Sequence, residues 1–69
     1  LIKVKLLPRN IEVEVDAEEA EVQVILEKLR NELSSDGVLV LVNGRLVEDM
    51  RRVVRKGDTV VVVEEFLGG

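Results

Sequence analysis

The sequence contains no cysteine, no histidine, no tryptophan and no tyrosine. Without cysteine, disulfides and thiolate metal sites are excluded. With histidine also missing, the residue types of a Ser-His-Asp or Cys-His nucleophilic centre are gone, and Ser34 and Ser35 have no activating base in view. Phe66 is the one aromatic residue, so the stacking platform used to bind single-stranded nucleic acid is lacking. Ten basic residues against 14 acidic give a formal charge of −4, a balance that disfavours nucleic acid in general. No apolar run approaches the ~20 residues of a membrane span, and no signal peptide pattern is visible. The expectation is a cytoplasmic protein with neither a nucleic-acid nor a membrane partner.

What is present is short and aliphatic. The chain has 69 residues, 46% of them hydrophobic, and fifteen are valine. One domain is the sensible count. A domain of this size buries roughly 60% of its unfolded surface, and its β-branched enrichment argues for sheet.

Ile2, Val4 and Leu6 alternate with Lys3 and Lys5, and Ile11, Val13 and Val15 alternate with Glu12 and Glu14. Both stretches have the period of a half-buried strand, separated by the turn residues Pro8 to Asn10. In a hairpin, Lys3 and Lys5 face Glu14 and Glu12. Asp16-Ala17-Glu18-Glu19 reads as a helix start, with Asp16 as N-cap and Glu19 completing a capping box. The acidic run through Glu21 then suits the positive helix end. Val22, Ile25, Leu26, Leu29 and Leu33 form one apolar stripe, which predicts a 16-residue helix, with Ala20 and Val24 on its exposed side. Ser34 to Gly37 ends it.

Val38 to Val42 is apolar throughout and predicts a strand, followed by the tight-turn pair Asn43-Gly44 and a short return strand, Arg45 to Val47. Glu48 to Lys56 is irregular. It predicts a single helical turn, with Met50, Val53 and Val54 available to the core. Lys56-Gly57-Asp58 is another turn, and Thr59 to Glu65 the last strand. Its four consecutive valines suit a central position, parallel to the first strand. The result is an α+β domain, β-β-α-β-β-β, with a five-stranded mixed sheet packed on one main helix.

Two surface features stand out. If Val40, Val42, Val60 and Val62 face the helix, then Leu39, Leu41, Val61 and Val63 face away. Four aliphatics on an open sheet suggest a protein contact; the alternatives are reversed parity or cover by the Phe66-Leu67 stem. Arg51, Arg52, Arg55 and Lys56 form a basic cluster. It reads either as a solvated loop or as a docking patch for an acidic partner. The carboxylates lie on solvated faces and not as a pair in one cleft, and no phosphate loop or metal-ligand spacing occurs. No catalytic residue is assigned and no bound metal is expected.

The chain ends in Gly68-Gly69. Glycine loses most on ordering, so residues 1–67 read as the domain and 68–69 as a flexible tail. Val42-Asn43-Gly44, Val47-Glu48-Asp49, Lys56-Gly57-Asp58-Thr59-Val60 and the terminal Gly68-Gly69, in that order, resemble the ubiquitin-like β-grasp proteins. The likeness covers essentially the whole chain and is greatest to the ThiS/MoaD sulfur carriers and the small archaeal modifiers. It implies that this protein is not an enzyme and that chemistry is done on it. An adenylating partner of the ThiF/MoeB type uses ATP and magnesium to activate the Gly69 carboxylate, and no cofactor stays bound. Phe66 and Leu67 anchor the stem, and a downstream synthase or other sulfur acceptor takes the thiocarboxylate. The implied destinations are thiamine, molybdopterin or thiolated tRNA. Conjugation to target-protein lysines is the alternative fate, and a binding module without activation is a third reading. Modifiers often carry arginine before Gly-Gly, so Phe66-Leu67 and the chain length lean toward the sulfur carriers.

Overall fold

The computed structural model describes residues 1–34 and 37–64. Its elements run β1 (Ile2–Leu7), β2 (Ile11–Val15), β3 (Glu19–Glu21), α1 (Val22–Lys28), β4 (Val38–Val42), β5 (Arg45–Leu46), β6 (Val53–Arg55) and β7 (Val60–Glu64). β1 and β2 form the expected hairpin, with Lys3 opposite Glu14 and Lys5 opposite Glu12. Each such cross-strand pair stabilises by about 0.2–1 kcal/mol and resists a register slip that would turn the core face outward. At the hairpin turn Asn10 takes a positive φ of 59°, a conformation that asparagine accepts more readily than most residues.

Five strands form one mixed sheet in the order β2-β1-β7-β4-β5, with β7 parallel to β1 and antiparallel to β4. The valine-rich last strand is therefore central, as its composition predicts. Val40, Val42, Val60 and Val62 are each 2% exposed or less, and they join Ile2, Val4, Leu6, Val22 and Ile25 in the core. Burying each such side chain contributes roughly 1.5–3 kcal/mol, which fixes the strand parity.

The helix differs most from expectation. It spans seven residues and begins at Val22, and Asp16 does not cap it. Glu19–Glu21 instead pairs antiparallel with Val53–Arg55, placing Ala20 opposite Val54 and Glu19 opposite Arg55. Ala20 is partly buried against the core, and Val54 is fully buried. Helix propensity at residues 16–21 thus yields to a non-local pairing that buries apolar surface. The Val22 and Gln23 amides donate to the Arg52 and Met50 carbonyls at 2.9 Å, so backbone groups satisfy the helix start. No acidic residue occupies the first turn. The acidic run has other partners, with Glu19 against Arg55 at 3.1 Å and Glu21 against Gln23.

Beyond Lys28 the helix loosens into turns, where the Glu32 and Leu33 amides still reach the Leu29 carbonyl. Leu29 stays buried, and Leu26 and Leu33 pack against the core. The apolar stripe therefore survives without the helix length it predicts. The segment 48–56 provides β6 where one helical turn was expected. Of its three candidate core residues Val54 alone enters the core, while Met50 and Val53 are exposed.

Candidate functional site at the two ends of the last strand

The two polypeptide turns that carry the family resemblance are joined to each other. The Asn43 amide donates to the Thr59 carbonyl at 2.8 Å. The Thr59 amide donates back to Asn43 Oδ1 at 2.9 Å, and Asn43 Nδ2 donates to Asp58 Oδ1 at 3.2 Å. The other Asp58 oxygen accepts from the Arg55 amide at 2.8 Å. That amide bond first, and the Asn43 side chain second, hold the Asp58 carboxyl below its usual pKa. Asn43 and Gly44 take positive φ of 52° and 81°, and Gly57 takes 96°. Two of the motifs that carry the resemblance thus fasten the end of β4 to the start of β7.

At the other end of β7 lies a group that the sequence reading missed. Glu64 continues the inward parity of Val60 and Val62, and its side chain is fully buried. Arg9 holds it in a two-pronged contact, Nε donating to Oε1 and Nη2 to Oε2, both at 2.9 Å. The Ser34 amide and hydroxyl also donate to Oε2, at 2.6 and 2.7 Å, and Arg9 Nη2 donates to the Glu32 carbonyl as well. The Arg9 guanidinium foremost, with the Ser34 amide behind it, lowers the Glu64 pKa from 4.5 to about 2 in spite of burial. The signal was available: carrying the alternation two residues past Val62 places a carboxylate on the core side, and that requires a partner.

The open sheet face carries Leu39, Leu41, Val61 and Val63. Leu39 is 43% exposed and the other three are half-buried. Register puts Leu39 beside Val63, and Leu41 beside Val61 and Leu46, so the four lie together. On the same face a cleft of about 760 Å³ opens toward the start of β7, lined by Lys3, Lys5, Glu12, Lys56 and Val61 among others.

Arg51, Arg52, Arg55 and Lys56 are all exposed, but Arg51 contacts Asp49 and Arg55 contacts Glu19. The cluster is partly neutralised and lies toward the start of β7, away from Glu64. Phe66, Leu67, Gly68 and Gly69 lie outside the described residues. Among the described residues no group of carboxylates could hold a metal ion, and no helix is long and apolar enough to cross a membrane.

A mixed sheet around one helix, with the last strand central and parallel to the first, defines a ubiquitin-like β-grasp protein. The profile of the ThiS family matches residues 4–69, and the chain belongs to that family, within the ThiS/MoaD sulfur-carrier type. It is similar to the crystal structure of a thiamine biosynthesis protein (ThiS) from Geobacter metallireducens, with a TM-score of 0.65 and 25% sequence identity, over 99% of this chain and 100% of that one. No curated protein matches the sequence.

Proposed function

We propose that this protein carries sulfur for thiamine biosynthesis as a thiocarboxylate on Gly69. The observation that carries the reading is that the family match runs through the terminal Gly68-Gly69. A carboxylate is a poor electrophile. An adenylating partner of the ThiF/MoeB type joins it to AMP from ATP with loss of pyrophosphate, magnesium serving that partner. Hydrosulfide, or its equivalent at the same oxidation level, then attacks the acyl carbon and displaces AMP, leaving the thiocarboxylate with no redox step. With no Cβ at either residue the acyl carbon is unhindered and the end fits a narrow channel. The domain supplies no catalytic side chain in this scheme. Leu39, Leu41, Val61 and Val63 dock the partner, Phe66 and Leu67 guide the stem, and a downstream synthase accepts the sulfur. The basic cluster adds at most a modest gain in association rate, given its internal ion pairs.

Intact mass spectrometry of the protein isolated from its own cells tests this. The expected result is a species heavier by the oxygen-to-sulfur difference, located at the C-terminus and lost when Gly69 is deleted. Conjugates that leave Gly-Gly on target lysines would assign the chain to protein modification instead. An unmodified carboxylate together with no adenylation of Gly69 would leave it a binding module.

A further inference from the structure

Glu64 is a buried charge that no part of the proposed chemistry uses. Among the described residues its four hydrogen bonds come from two places far apart in sequence, Arg9 in the β1–β2 turn and Ser34 beyond the helix. It is also the last residue of β7, with five residues from Glu65 to Gly69 beyond it in the sequence. Five residues reach at most about 18 Å. Any carboxylate at Gly69 is therefore confined to a region centred on wherever residue 64 is held.

We propose that Glu64 is a positioning residue for activation of the carboxyl end, held in place by Arg9 and Ser34. This rests on the sulfur-carrier reading. The ladder bonds of β7 fix Glu64 along the strand, opposite Val38, and they are weakest at a strand's end, where fraying starts. The clasp opposes that fraying from the helix side of the sheet, while partner docking uses the opposite face. Losing it should therefore leave docking intact and impair the adenylation step. If β7 frays through Glu64 and Val63, the stretch between the last residue held in the sheet and Gly69 grows from five residues to seven. Its effective concentration at a fixed acceptor then falls by about 1.7-fold on length alone, and loss of the exit direction adds to this.

Glu64→Gln keeps the shape but turns an acceptor oxygen into a donor facing donors. The test is ATP–pyrophosphate exchange by the cognate adenylating enzyme, with the 69-residue chain as substrate and at a temperature where each variant is folded by circular dichroism. We expect kcat to fall about threefold or more with KM unchanged, and Asn43→Ala, at the far end of β7, to keep wild-type kcat. A folded Glu64→Gln protein with wild-type kcat overturns the proposal. An equal loss in Asn43→Ala also overturns it, by tracing the effect to stability. If Glu64→Gln does not fold, Ser34→Ala, which removes one of the four bonds, decides the matter: a smaller fall in kcat supports the role and an unchanged kcat overturns it. Absence of exchange with the wild-type chain would instead sink the sulfur-carrier reading itself.

Discussion

The two ends of β7 solve one problem with different materials. At its start Asp58, partly exposed, accepts from a nearby amide and from Asn43, and joins two turns whose residues are common turn formers. At its end Glu64, fully buried, draws on a guanidinium and a serine 55 and 30 residues away. An exposed knot can exchange protein partners for water. A buried one cannot, so its removal costs more.

That contrast predicts an order of effects. Arg9→Ala should be the worst, because it strands a buried carboxylate; a loss of about 3 kcal/mol is expected from urea unfolding. Glu64→Ala should cost about 2 kcal/mol, since the Arg9 left behind is already 35% exposed and can reach water. The reverse order would mean that burial of the charge is not what makes the clasp expensive to break.

Acid should separate the ends as well. A carboxylate whose folded pKa lies below its ordinary value stabilises the fold above that ordinary value and loses the contribution as pH falls. For Glu64 the loss runs from about pH 4.5 down through about 2. Wild-type and Glu64→Gln stabilities should therefore differ at neutral pH and converge across that window. Curves that stay parallel would break the assignment.

The smallest effect is expected at the exposed knot. Asn43→Ala places alanine at a φ of 52° and removes two side-chain bonds. A loss of about 1 kcal/mol, read from the shift in melting temperature, is expected. A loss as large as that of Arg9→Ala would make the two ends equivalent.

The same contrast explains what was legible in the sequence. Strand alternation, the Lys-Glu hairpin register and the Asn-Gly and Gly-Asp turns depend on near neighbours, and they appear where the sequence places them. Ala17 to Glu21 has helix-forming residues and a cap, but its fate is decided by Val53 to Arg55 more than thirty residues on, so local reading extended the helix too far. Glu64 was hidden for the related reason that its partners, Arg9 and Ser34, are unremarkable in their own segments. The open face came from parity alone and kept its four aliphatics together. The diglycine was conspicuous because it lies at the end of the chain.

The central place of β7 has a mechanical side. A pull on Glu64 along the strand axis loads the sheet through β7. β7 is bonded on both sides, to β1 through the pairs from Val4↔Val60 to Leu7↔Val63 and to β4 through those from Val38↔Glu64 to Val42↔Val60. Such a load is shared by both ladders and not carried by one alone. Traction on the last strand therefore meets the combined resistance of two interfaces, and the Glu64 clasp guards the end where fraying would start.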